Sequence, residues 1–180
     1  MFLRRTDNSI NIALVYVDDI ILAGNDVVEI ENLTHLLNET FKIKNLGDLT
    51  YFFGLEVARN KTRIHLCKRK YVLDLLEDAG MMNCAPAITH MNHKLAADMG
   101  GILPDPSSYI RLIGKLIYLK NTRPDITHAV QHLSQFVYAP TSIHQQAAMR
   151  ILRYLKKTPG NGIFLAANSE AQLKGYSDSD

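Results

Sequence analysis

Two adjacent carboxylates, Asp18 and Asp19, interrupt an otherwise apolar stretch, with Leu14-Val15-Tyr16-Val17 before them and Ile20-Ile21-Leu22 after. A two-residue hairpin turn chosen for stability alone takes Asn-Gly or Asp-Gly, because its central residues adopt positive φ. Two aspartates side by side also repel, and that cost falls when a divalent cation sits between them. Carboxylate oxygens are the hard ligands that Mg²⁺ accepts alongside phosphate oxygens and water. A pair of such ions can polarise an attacking hydroxyl and stabilise a leaving pyrophosphate. The dipeptide therefore reads as a metal site for phosphoryl chemistry, with a plain acidic turn as the alternative.

Cations come next. From Arg59 to Lys70 the chain carries Arg59, Lys61, Arg63, Lys68, Arg69 and Lys70 and no acidic residue. That density suits a phosphate backbone, where each contact releases a counterion; a solvated hairpin tip and helix start is the rival reading. Arg150, Arg153, Lys156 and Lys157 form a second stripe, opposite the apolar face of their helix, and read as solvent-facing. His128 and His132 have the i, i+4 spacing of a zinc pair. No acidic or cysteine partner accompanies them, so a surface pair is the expectation. Cys67 and Cys84 stand singly, which suggests free thiols rather than a zinc site or a disulfide framework.

The elements that must position these residues follow from periodicity. Ile10 to Ala23 reads as a hairpin with Asp18-Asp19 at its turn. Asp26 is an N-cap candidate with Glu29 three residues on, a variant of the capping box. Ile30, Leu33, Leu37 and Phe41 then recur at helical spacing, predicting a helix from about Val27 to Phe41. Leu49–Arg59 and Arg63–Leu66 read as a second β pair, and Lys68–Ala79 as a helix stopped by Gly80. Residues 83–107 carry Pro86, Gly100, Gly101, Pro104 and Pro106 without clear periodicity and read as a linker or long surface loop.

Beyond it the pattern is helical. Asp105-Pro106 opens one helix, Pro124 a second, and Thr141 or Ser142 caps a third that Pro159-Gly160 ends. Strands at Gly162–Ala166 and Leu173–Tyr176, with a turn at Asn168-Ser169, close the reading.

With 180 residues, 47% hydrophobic and 21% charged, the chain can bury a core in one ordinary domain or two small ones. A net charge of +2 leaves partner choice to local clusters. No run approaches the length of a membrane helix, and Met1-Phe2-Leu3-Arg4-Arg5 is followed by polar residues rather than a signal-peptide core. A cytoplasmic or nuclear location is the expectation.

Tyr16-Val17-Asp18-Asp19 resembles the catalytic hairpin of reverse transcriptases, and its surroundings resemble the copia-type branch of LTR retrotransposons. The ordered set includes Phe41–Asp48 (FKIKNLGD), Tyr51–Val57 (YFFGLEV), Lys70–Leu76 (KYVLDLL), Tyr109–Tyr118 (YIRLIGKLIY), Asn121–Ile126 (NTRPDI) and His144–Lys157 (HQQAAMRILRYLKK). Departures from the family pattern include Phe53 for leucine, His90 for proline, Ile110 for arginine and Lys120 for threonine.

The resemblance implies specific roles. Asp18 matches the metal-binding aspartate of the hairpin, Asp19 its less direct neighbour, and Tyr16 and Val17 residues beside the primer terminus. Tyr51 to Val57, with Gly54 and Leu55, resembles the hairpin that grips the primer, and Arg59, Lys61 and Arg63 adjoin it as nucleic-acid contacts. Asp178, in a Ser-Asp-x-Asp pattern, lines up with the first metal ligand of RNase H. Mg²⁺ is the implied cofactor, and an RNA or DNA template–primer with dNTP the implied substrate.

The fold expected on this basis is α+β: an incomplete reverse-transcriptase palm over 1–82, a linker over 83–106, a helical connection segment over 107–160, and the first strands of an RNase H-like sheet over 161–180. In the family a third catalytic aspartate and the nucleotide-binding fingers lie upstream of the hairpin. The chain is therefore expected to be inactive alone, a retrotransposon relic with at most nucleic-acid binding, unless another chain supplies the missing palm and fingers. An unrelated acidic-turn interaction domain is the further rival.

Overall fold

The computed structural model of the protein describes residues 1–89, 95–96, 99–167 and 175. His90, the expected turn at Asn168-Ser169, the expected strand Leu173–Tyr176 and the expected metal ligand Asp178 lie outside the described residues. The chain is mixed α and β, with two antiparallel sheets and five α-helices among the described residues. It divides into two compact units, Met1–Leu49 and Thr50–Asp180.

In the first unit, alternating apolar residues pair as a three-stranded meander of β1 (Phe2–Arg5), β2 (Ile10–Tyr16) and β3 (Asp19–Gly24). Strand β1 gave no signal in the sequence beyond its short apolar start. Asp26 caps α1 (Val27–Phe41), accepting the Glu29 amide hydrogen at 3.1 Å. Glu29 does not complete a reciprocal box; its side chain pairs with Arg4 on β1 instead, tying the helix to the sheet. The helix ends where Lys42 turns left-handed at φ 53 and donates its amide to the Asn38 carbonyl. No residue from Met1 to Leu49 is buried, and α1 has only half-buried apolar positions against the strands.

The second unit holds the core. Its sheet runs β4 (Tyr51–Phe52), β5 (Leu55–Arg59), β6 (Arg63–Cys67) and β7 (Gly162–Ala166), in that order. The single strand expected over Leu49–Arg59 is split by a two-residue turn at Phe53-Gly54, since Phe52 pairs with Leu55. Strand β7 pairs along its whole length with β6, from Cys67 opposite Gly162 to Arg63 opposite Ala166. Gly162 is required there, because a Cβ would come within 2.0 Å of the Leu66 carbonyl oxygen.

Helices α2 (Arg69–Asp78), α3 (Ser107–Leu119), α4 (Thr127–Ser134, entered through a 3₁₀ turn at Pro124–Ile126) and α5 (Ser142–Lys157) pack their apolar stripes together. Val72, Leu75, Leu76, Ile113, Leu116, Val130, Leu133, Ile151 and Leu155 meet in one cluster. The Tyr109 hydroxyl enters this core and donates to the Leu133 carbonyl at 2.7 Å; burial pushes its pKa up to about 12. The long connection before α3 is pinned to α5 and to the residues just before it. Ala87 donates its amide to the Arg153 carbonyl, Leu103 to that of Pro140, and Ser142 donates back to Gly101. Among the described residues no helix is long and apolar enough to cross a membrane.

Candidate metal and nucleic-acid sites

The aspartate hairpin is built by register. Val15 opposes Ile20, Leu14 opposes Ile21 and Ala13 opposes Leu22, and this apolar ladder forces Tyr16 opposite Asp19. The turn is thus Val17-Asp18, one residue earlier than the sequence reading placed it, and Asp19 is the first residue of β3. Val17 has φ 48, whereas Asp18 is not among the residues with positive φ. A positive φ at the first central residue alone is the sign pattern of a type II′ turn, which normally takes glycine there. A β-branched residue in that region is strained, and such strain gathers at sites where geometry matters more than stability. Val17 is 79% exposed, and both carboxylates lie in solvent beside it.

Asp18 and Asp19 are one residue apart at an exposed tip and offer only oxygen donors. That fits Mg²⁺, which is commonly held by one or two protein carboxylates while substrate phosphates and water complete its shell. Among the described residues there is no group of three or more His, Cys, Asp or Glu that could hold a metal by itself. His128 and His132 have ring centroids 6.4 Å apart; His128 is exposed and His132 packs against Phe136.

The second hairpin belongs to the second unit. At its turn both Phe53 (φ 54) and Gly54 (φ 77) are left-handed, the pattern of a type I′ turn, with glycine where the turn needs it and phenylalanine where it is strained. The Phe53 carbonyl accepts a hydrogen bond from the Tyr118 hydroxyl at 3.3 Å. Tyr118 in turn lies under the Lys68 ammonium, 3.0 Å from its ring centroid, and edge-on to Tyr71 at 5.1 Å. Lys68 and Tyr118 were not singled out by sequence reasoning as parts of this hairpin's support, since their spacing along the chain gives no sign that they meet. Tyr51 is exposed, and Gly54 and Leu55 are half-buried.

At the other end of β5, about 13 Å along the strand by its rise per residue, stand Arg59, Lys61 and Arg63. The Asn60 side chain organises this tip by accepting from the Thr62 and Arg63 amides at 2.9 Å each. All three cations are exposed, and none takes part in the ion pairs formed among the described residues. The remainder of the basic run is otherwise engaged: Lys68 is buried against Tyr118, and Lys70 pairs with Asp74 at 2.8 Å. The structure thus groups Tyr16, Val17, Asp18 and Asp19 at one tip, Tyr51, Gly54 and Leu55 at a second, and Arg59, Lys61 and Arg63 at a third.

The stripe on α5 has a different use from the solvent-facing one expected. Arg150 donates to the Thr89 hydroxyl, Arg153 to the Ala85 carbonyl and Lys156 to the Cys84 carbonyl. These side chains hold the segment after α2 against the helix.

Residues 1–93 match the family described as reverse transcriptase (RNA-dependent DNA polymerase). The chain is 44% identical over its whole length to the retrovirus-related Pol polyprotein from transposon RE1 of Arabidopsis thaliana, and 34% identical over 99% of its length to that from transposon TNT 1-94 of Nicotiana tabacum. It spans 12% and 14% of those polyproteins. An uncharacterized mitochondrial protein of Arabidopsis thaliana is 36% identical over 93% of the chain, which covers 70% of that relative. No solved structure matches the chain.

Proposed function

Because this chain belongs to the reverse transcriptase family of copia-type retrotransposon Pol polyproteins, we propose that it is the aspartate-bearing segment of an RNA-directed DNA polymerase. The observation that carries this reading is the strained tip at Val17-Asp18, which presents two carboxylates to solvent at the end of a fixed cross-strand register. Asp18 and Asp19 would hold Mg²⁺, which when bound neutralises phosphate charge and lowers the pKa of an attacking hydroxyl. Tyr16 and Val17 would lie beside the primer terminus. Tyr51, Gly54 and Leu55 would hold the primer strand, with Tyr118 fixing the turn between them. Arg59, Lys61 and Arg63 would contact backbone phosphates.

The finer layout belongs to the same reading. It comprises a palm-derived part through residue 82, a linker, a helical connection segment to 160 and the opening of an RNase H-like sheet beyond, with Asp178 as a further metal ligand. Template–primer and dNTP are the proposed substrates, and a chain carrying further palm and finger elements the proposed partner.

A second reading, a fragment that binds nucleic acid without extending it, is favoured by one observation. The described residues gather two carboxylates at the hairpin and no third group, and a two-ligand site holds its ion weakly before substrate arrives. Primer extension on an RNA template with Mg²⁺, beside an Asp18→Asn control, separates the two. The expected outcome is template–primer binding by both proteins and extension by neither. Extension that disappears in the control would show that the chain, alone or self-associated, forms a working site.

A further inference from the structure

On the second sheet, Ala58, His65 and Phe164 stand in one row across three strands, because Ala58 opposes His65 and His65 opposes Phe164. Phe164 is 63% exposed, and its ring stacks on the His65 imidazole with centroids 4.4 Å apart and planes 21° from parallel. The stacking holds the Phe164 ring in a fixed orientation while leaving much of it open to solvent. The His65 Nε2 is buried and without a partner among the described residues, so the imidazole serves as a brace for the ring rather than as part of a hydrogen-bonded network. Ala58, on the far side of His65, adds no bulk.

Cations gather at the turn end of this face, while Glu56, one row toward the other end, accepts the Lys70 amide. Arg63 is two residues from His65 on the same sheet face, diagonal to Phe164 and so about 7 Å from it. Lys61 lies in the turn at the same end of the sheet, Arg59 opposes Ile64 and belongs to the other face, and Arg63 stands outside the ion pairs of the described residues. A flat aromatic ring with the Arg63 cation beside it matches a ligand with π-faces at one side and anionic charge at the other.

We propose that Phe164, braced by His65 and flanked by Arg63, is a stacking platform for the bases of single-stranded nucleic acid. This rests on the nucleic-acid-binding reading above and adds a subsite to it, on a strand to which that reading gave no binding role. Each π-face accepts any base, so the platform is indifferent to sequence, and Arg63 takes a neighbouring phosphate.

The chain contains no tryptophan, so Phe164→Trp places a single indole fluorophore on the platform. Titration of that variant with oligo-dT should quench its emission, with affinity equal to or tighter than that of the parent chain. In anisotropy titrations with labelled oligo-dT, Phe164→Leu, which keeps an apolar β-compatible side chain, should bind about tenfold more weakly. Its affinity for a blunt duplex should stay unchanged. Arg63→Gln should reduce the salt dependence by roughly one phosphate contact. Unquenched emission from Phe164→Trp, together with parental oligo-dT affinity in Phe164→Leu, would overturn the platform while leaving duplex binding in place. A parent chain that binds neither oligo-dT nor duplex would overturn the nucleic-acid reading and the platform with it.

Discussion

Arg123 is 2% exposed, a full charge inside the helical unit. It donates to both oxygens of Asp125 and to the Thr158 carbonyl, while Tyr154 donates to the same Asp125 carboxylate. The Asn-Thr-Arg-Pro-Asp-Ile motif is therefore a structural staple between the turn before α4 and the end of α5. Burial alone would push the Asp125 carboxyl up, but hydrogen bonds from Arg123 and Tyr154 outweigh it and the net direction is down. A carboxyl lowered in the folded state contributes stability that is present above its unfolded value of 3.8 and is lost as pH falls through the folded value. Asp125→Asn should destabilise the unit by about 2 to 3 kcal/mol, less than a fully enclosed pair because Asp125 keeps solvent access. Denaturant melts at neutral pH and near pH 3 would check it, the difference between variant and parent shrinking at the lower pH. At this scale the sequence singled out Tyr16–Asp19 as a candidate site and left the structural role of Arg123 unread. A contiguous motif announces itself, whereas the partner at Thr158 is far along the chain. The turn's one-residue displacement has a similar origin, since cross-strand register decides which two residues are left over.

Helices were the most legible elements. Apolar residues at Ile30, Leu33 and Leu37 placed α1 at Val27–Phe41, as the structure has it, and the same spacing located α3 and α5 within a residue or two. Thr141 caps α5 as read, with an addition that spacing alone does not reveal. His144 accepts the Thr141 amide, stacks on Phe136 at 4.0 Å and contacts the Ala96 carbonyl at 3.2 Å, so the cap also fastens the preceding connection. The polar face of α5 was harder to read, because nothing in its charge pattern says whether a cation meets water or a carbonyl. Hydrogen bonds from charged donors to carbonyls contribute more than neutral ones. Arg153→Ala should cost roughly 1 kcal/mol at this exposed position. Hydrogen exchange at the Ala87 amide, which is bonded to the Arg153 backbone, should accelerate while the amides of α3 stay protected.

Among the described residues, burial is unevenly divided: the second unit contains every buried one, and the first, Met1 to Leu49, contains none. Local stability follows apolar burial, so amides of β1 to β3 should exchange orders of magnitude faster than those of α3 and α5. Native-state hydrogen exchange read by mass spectrometry tests this directly, and equal protection in the two units would contradict it. The Asp18-Asp19 tip thus belongs to the unit without buried residues. Its apolar residues Val15 and Val17 are exposed, 43% and 79%.

The pairing of β7 with β6 also bears on how the chain is made. Strand β6 leaves the ribosome about a hundred residues before its neighbour, which at typical elongation rates leaves its hydrogen-bonding edge open for roughly 5 to 20 seconds. All of α2 to α5 emerges in that interval. The four helices can therefore pack before β7 arrives to cover the open edge of β6, so the order of synthesis suits the order in which the sheet is completed.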